Sequence, residues 1–133
     1  MMMHFGLKSL EEIRLDDAFC VHYNMDQDDT SGSKHTDPSD ITINLCVEKT
    51  KDVEGSHVKF YGAQKLENVE RQSSNNDREA FLVDQLEGYA TIHWGVHPHE
   101  TMPLKRGVRT NLILTYCYKD PSRSDVSVRS CYF

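Results

Sequence analysis

The amino-acid sequence predicts a mainly β protein, with a two-sheet jelly roll as the closed architecture that suits its size. Three observations carry this. Short runs rich in β-branched and aromatic residues recur along the chain, separated by turn-forming residues. Ile41-Thr42-Ile43-Asn44-Leu45-Cys46-Val47 alternates as a half-buried strand does, and Thr110 to Tyr118 is the strongest run of all. The chain has 133 residues, the length of one domain able to bury a real core, so residues 1–133 are read as a single domain.

The elements follow in chain order. Ser9 followed by Glu12 fits a capping box, which predicts a short helix over Ser9 to Asp17. Ala18 to Tyr23 reads as a strand. Asn24 to Asp40 is polar, carries Pro38, and reads as a loop. Its Asp26, Asp28 and Asp29 lack the glycine and closing glutamate of a calcium loop, so they read as a solvated face. After the Ile41 strand, Glu48 to Gly55 reads as a turn and His57 to Tyr61 as a short strand. Gln64 to Asp77 is long and polar, a candidate lid. Ala80 to Gln85 reads as a strand or one helical turn, and Tyr89 to His93 as a strand. His97 to Gly107, with Pro98 and Pro103, reads as a loop before the strand from Thr110. The tail is polar up to Val126-Ser127-Val128.

Composition narrows the class. With 15 Lys+Arg against 21 Asp+Glu the formal net charge is −6, which argues against a generic nucleic-acid binder. No stretch approaches the ~18 apolar residues of a membrane span. No apolar run follows a basic flank at the start, so no secretory signal is expected. The cysteines Cys20, Cys46, Cys117 and Cys131 are scattered with no C-x-x-C, as expected of reduced thiols in a cytoplasmic or nuclear protein. Their spacing gives no structural-zinc signature.

His35-Thr36-Asp37 is an H-x-D triplet, and in extended chain residues i and i+2 point to one side. Both can therefore face one ion. A third ligand is available from His93, His97 or His99. Two histidines and a carboxylate on one face of a metal form the facial triad of non-haem Fe(II) oxygenases, with open positions for a co-substrate and O₂. Arg109 opens the strongest strand, where its guanidinium can grip a carboxylate through two parallel hydrogen bonds. It should share a strand face with Asn111 and Ile113. If that face is interior, an unpaired guanidinium there would be costly, and a bound carboxylate would relieve the cost.

At these residues the chain resembles the prolyl and lysyl hydroxylase branch of the 2-oxoglutarate- and Fe(II)-dependent dioxygenases. The resemblance covers about 19–118. It rests on Phe19-Cys20-Val21-His22-Tyr23, His35-Thr36-Asp37 and Thr42-Ile43-Asn44, then on Gly88 to Gly95 with His93-Trp94-Gly95. It closes on the H-x-x-x-P-x-x-x-G-x-R pattern of His99, Pro103, Gly107 and Arg109. The order and spacing of both halves make the match fairly specific.

The resemblance implies a double-stranded β-helix, cupin-like, with a truncated N-terminal helical support. It implies that His35, Asp37 and His99 bind iron, that Arg109 binds the distal carboxylate of 2-oxoglutarate, and that Tyr23 and Asn44 help hold it. His99 is preferred over His97 because it keeps the spacing to Pro103, Gly107 and Arg109. The rival pair His97 and Arg106 loses because Arg106 is expected in the turn before Gly107. His93 is expected to support the site from behind or to pack beside Trp94. The implied cofactors are Fe(II) and 2-oxoglutarate, with ascorbate as an accessory reductant. The implied reaction turns 2-oxoglutarate and O₂ into succinate and CO₂ while hydroxylating a C–H bond of a peptidyl or small-molecule substrate.

Two features depart from the family pattern. Only 18 residues precede Phe19, so the chain is expected to be a fragment missing an N-terminal segment, a minimal domain, or one that needs a partner subunit. Where family members often carry Gly-Gly before the strand holding Phe60, this chain has Gly55-Ser56. A metal-binding jelly roll without turnover is the alternative of another class. A nucleic-acid dealkylase is disfavoured by the net charge and by the lack of a second suitably spaced arginine on the Arg109 strand.

Overall fold

The computed structural model describes residues 3–62 and 80–124. The candidate lid from Gln64 to Asp77, the Val126 run and Cys131 lie outside the described residues. Two four-stranded antiparallel sheets line one cavity from opposite sides. The first has the order β1-β10-β3-β7, built from Ile13–Tyr23 (β1), Arg109–Tyr118 (β10), Ile41–Lys49 (β3) and Ala90–Trp94 (β7). The second has the order β2-β8-β5-β6, built from Gly32–His35 (β2), His99–Thr101 (β8), Val58–Tyr61 (β5) and Ala80–Val83 (β6). A small ribbon pairs Glu54–Gly55 (β4) with Leu104–Arg106 (β9). This is the jelly roll that the alternating runs predict.

Four expectations change. The Ser9 to Asp17 helix shrinks to one 3-10 turn, Leu10–Glu12. Its capping box is present, with Ser9 and Glu12 bonded reciprocally, but a cap alone cannot sustain a helix. Ile13 onward is drawn into β1 by pairing with β10, from Ile13 opposite Tyr118 to Tyr23 opposite Arg109. Among the described residues no α-helix supports the sheets. The Asn24 to Asp40 loop contains β2, and the His97 to Gly107 loop contains β8 and β9. Pairing decides these short strands: His99 lies between His35 on one side and Phe60 on the other. Ala80 to Gln85 resolves as a strand, β6, paired to β5.

Alternation sets the two faces of the first sheet. Phe19, Val21 and Tyr23 of β1, Thr42 and Asn44 of β3, His93 of β7, and Arg109, Asn111 and Ile113 of β10 line the cavity. Their neighbours point away: Leu112 opposite Leu45 and Cys20, and Leu114 opposite Ile43 and Ala18. At one end of that outer face, Phe5 and Leu7 fold over Ile41, Ile13 and Tyr118 to make an apolar core, with Tyr116 packed against it. The Tyr118 hydroxyl donates to the Phe5 carbonyl and fixes the segment in place. No described helix is long and apolar enough to cross a membrane.

Candidate metal centre

The pairing of β2 with β8 sets His35 directly opposite His99, with ring centroids 4.5 Å apart. Asp37 follows β2 in a turn pinned by its own N–H, which donates to the Gly95 carbonyl at 2.8 Å. That turn passes so close to the end of β7 that a Cβ on Gly95 would sit 1.9 Å from the Ser39 carbonyl oxygen. Only glycine fits there, which accounts for the His93-Trp94-Gly95 pattern.

His35 Nε2 lies 3.3 Å and His99 Nε2 3.6 Å from Asp37 Oδ1. One donor atom from each of the three falls within 4.8 Å of the others. Two donors bound at right angles to one first-row ion, each at about 2.1 Å, stand about 3 Å apart, so the spacing suits a shared cation. The tautomers suit it too. His35 Nδ1 lies 2.7 Å from the Ser33 carbonyl, and His99 Nδ1 lies 2.8 Å from the His97 carbonyl. A carbonyl only accepts, so each Nδ1 carries a proton, which leaves each Nε2 as the atom that can offer a lone pair to a metal. A cation among them would meet both nitrogens and the carboxylate. Asp37 is steadied by the Thr42 hydroxyl, which donates to Oδ2 at 2.6 Å.

His93 stands behind this group. Its Nδ1 donates to the Trp94 carbonyl at 2.8 Å, and its Nε2 lies 3.9 Å from Asp37 Oδ2. Burial pushes it down to about 4, so the ring is neutral at pH 7. His97 points elsewhere. Its ring meets Phe60 and Phe81, and its Nε2 is buried with no hydrogen-bond partner among the described residues. Its backbone carbonyl, not its ring, serves the centre. Arg106 lies on β9 rather than in a turn. It is exposed and paired with Glu54 at 3.3 Å, so it is excluded by position on the outer ribbon and not by the expected turn.

Arg109 is 2% exposed and reaches into the same cavity. Its Nε donates to Ser56 Oγ at 2.7 Å and its Nη1 to Asn111 Oδ1 at 2.7 Å. The Tyr23 ring lies beside the guanidinium, 5.1 Å from centroid to Cζ. Burial lowers its pKa, yet an arginine keeps its charge at neutral pH. Among the described residues no carboxylate lies within ion-pair distance of it. Asn111 passes the network on, donating to Asn44 Oδ1 and to Gln85 Oε1 at 2.8 Å. Asn44 is thus tied to Arg109 through Asn111, and Tyr23 touches it directly. The six residues singled out from the sequence all line this cavity.

Sequence reasoning missed Ser56, Gln85 and the roles of Thr42 and Asn111. Thr42 and Asn111 sit at i−2 of Asn44 and i+2 of Arg109, so alternation could have found them. Ser56 and Gln85 arrive from turns, where no periodicity marks them.

No family model matches the chain. It is 30% identical over 97 residues to the 2-oxoglutarate and iron-dependent oxygenase domain-containing protein ICU11 of Arabidopsis thaliana, covering 73% of this chain and 23% of that protein. It is 29% identical over 97 residues to the 2-oxoglutarate and iron-dependent oxygenase domain-containing protein 2 of Xenopus tropicalis, covering 73% of this chain and 25% of that protein. The chain therefore spans about a quarter of the length of the curated relatives it matches. In fold it is similar to an oxidoreductase of the 2OG-Fe(II) oxygenase family from Burkholderia pseudomallei, with a TM-score of 0.63 and 12% identity. That match covers 92% of this chain and 49% of the other. The relatives and the fold support the 2-oxoglutarate/iron oxygenase superfamily.

Proposed function

We propose that this chain carries the active site of a 2-oxoglutarate- and Fe(II)-dependent oxygenase that hydroxylates a C–H bond, in a peptidyl prolyl or lysyl residue for preference. The observation that supports it is the placement of His35, Asp37 and His99 around one point, in the cavity that also holds a buried arginine with no carboxylate partner among the described residues.

In this reading His35, Asp37 and His99 hold the iron, and the carbonyls bonded to Nδ1 of the two histidines keep each Nε2 turned to it. Bound iron supplies the redox chemistry that couples decarboxylation of 2-oxoglutarate by O₂, giving succinate and CO₂, to insertion of one oxygen atom into the substrate C–H bond. Arg109 binds the far carboxylate of 2-oxoglutarate, which relieves its own burial. Tyr23 covers one side of the guanidinium. Asn44 holds Asn111, and through it Arg109, in one orientation. Thr42 keeps Asp37 aimed. Ascorbate belongs to this reading as a reductant for the iron and needs no residue of the cavity.

The test is a visible spectrum of the protein with Fe(II) and 2-oxoglutarate in the absence of O₂. A charge-transfer band is expected, because it requires iron in the site and the keto acid on the iron. The band should vanish in His99→Ala. Succinate formation that persists unchanged in His99→Ala would sink the proposal.

A second reading is a metal-binding module that acts through a partner without turnover. One feature favours it, the apolar outer face of the first sheet, where Ile92 is 38% exposed. It predicts iron binding with no consumption of 2-oxoglutarate under any conditions.

A further inference from the structure

We infer that Ser56 is a positioning residue for co-substrate selection: its hydroxyl turns Arg109 so that the guanidinium meets a carboxylate end-on. The inference rests on the proposed function and deepens it.

The starting point is a backbone outlier. Ser56 has φ 60, and among the described residues it is the one non-glycine residue with positive φ. Side chains with a Cβ adopt this conformation at a cost, and glycine adopts it freely. The residue is also buried, at 2% exposure, and its N–H donates to the Pro103 carbonyl at 3.1 Å. Nothing in the turn itself calls for a hydroxyl. Glycine would hold the same backbone and the same hydrogen bond with less strain. A strained residue kept at a site is a reason to look for what its side chain does.

Its side chain meets Arg109. Ser56 Oγ accepts from Arg109 Nε at 2.7 Å, while Asn111 Oδ1 accepts from Nη1 at 2.7 Å. A guanidinium carries five N–H donors in a rigid plane and can take a carboxylate on either of two edges. One edge uses Nε with Nη2, the other Nη1 with Nη2. Ser56 occupies Nε and so closes the first edge. Among the described residues one N–H of Nη1 and both on Nη2 stay available, so the guanidinium presents its Nη end to a carboxylate. Two anchors 53 and 2 residues away from Arg109 in sequence also fix the plane of the group against rotation. Ser56 touches neither co-substrate nor iron in this scheme, and acts through Arg109 alone.

The experiment compares two keto acids that chelate iron alike and differ at the far end. 2-Oxoglutarate ends in a carboxylate, and 2-oxovalerate ends in a methyl group. Each is titrated, without O₂, into the Fe(II)-loaded protein, with the charge-transfer band as readout, for the wild type, Ser56→Gly, Ser56→Ala and Arg109→Met. Thermal midpoints are recorded in parallel. Ser56→Gly should bind 2-oxoglutarate about tenfold more weakly, the size of one hydrogen bond to a charged group, with 2-oxovalerate unchanged. Its thermal midpoint should lie above that of Ser56→Ala, because both variants lose the same hydrogen bond and only glycine relieves the backbone strain. Ser56→Ala should show the same affinity pattern with a lower midpoint.

Equal weakening of both keto acids would make Ser56 a merely structural residue and overturn the inference. So would unchanged 2-oxoglutarate affinity in both Ser56 variants while Arg109→Met loses it. If Arg109→Met binds 2-oxoglutarate as the wild type does, the assigned role of Arg109 falls, and Ser56 falls with it.

Discussion

Along β10 the side chains facing the cavity are Arg109, Asn111 and Ile113, while Leu112 and Leu114 face away. The same holds on β3, where Thr42 and Asn44 point in and Ile43 and Leu45 point out. Among the described residues the cavity side holds the buried Thr42, Arg109 and Asn111, while beyond Phe5 and Leu7 the apolar side is half-buried at Ile43, Leu45, Leu112 and Leu114 and exposed at Ile92. In a sheet that exists only to build a core the arrangement runs the other way. Burying polar groups is tolerable here because nearly every one has a partner: Arg109 with Ser56 and Asn111, Asn111 with Asn44 and Gln85, Thr42 with Asp37. The difference teaches that the inner face is a hydrogen-bonded polar cavity, and that stability must come from elsewhere.

The largest effect should come from breaking the inner face at the proposed metal ligands. His99→Ala is expected to abolish succinate formation and to lower iron affinity by at least a hundredfold, measured by equilibrium binding without O₂. Arg109→Met comes next. It should weaken 2-oxoglutarate binding about a hundredfold, the size of a bidentate charged contact, with iron affinity retained. Titration of the charge-transfer band checks both parts.

Acidification of the metal-free protein should cost stability through His93. Its folded value of about 4 lies below the ordinary 6.5, so between those values the unfolded chain takes up a proton that the folded chain refuses. Stability is therefore full above pH 6.5, falls as pH drops toward 4, and levels off below it. The loss should reach about 3 kcal/mol, read from urea unfolding across that range, and should be absent in His93→Gln. Thr42→Val should then lower iron affinity about tenfold by freeing Asp37, with little change in the thermal midpoint.

The smallest effect belongs to the outer face. Ile92→Thr is expected to change stability by no more than about 0.5 kcal/mol. It should still lower binding of a hydrophobic dye, because it breaks up an exposed apolar surface. A large destabilisation there would erase the contrast between the two faces.

The long strands were legible because each keeps a period of two for most of its length. The Ile41 and Thr110 runs became β3 and β10, and Ala18 to Tyr23 is the second half of β1. The start of β1 was misread because Ser9 and Glu12 do cap a turn, and nothing local says that β10 then claims Ile13. Two- to four-residue strands such as β4, β8 and β9 have no room for a pattern. Pairing with distant partners makes them. At the site, His35, Asp37, His99 and Arg109 could be read because their spacing is itself a motif. The same spacing favoured His99 over His97, but where the His97 ring points depends on packing against Phe60 and Phe81, which no spacing encodes.

The sequence by itself determined the β class, the order of the strands' polar and apolar residues, and the ligand types available for a metal. Those follow from side-chain chemistry and from alternation, which are properties of a few adjacent residues. Only the tertiary structure decided which face of the first sheet turns inward, which histidines meet Asp37, and that Ser56 reaches Arg109 across 53 residues of chain. Each of these is a juxtaposition of segments far apart in sequence. Strand register and sheet packing create it, and no local pattern encodes it.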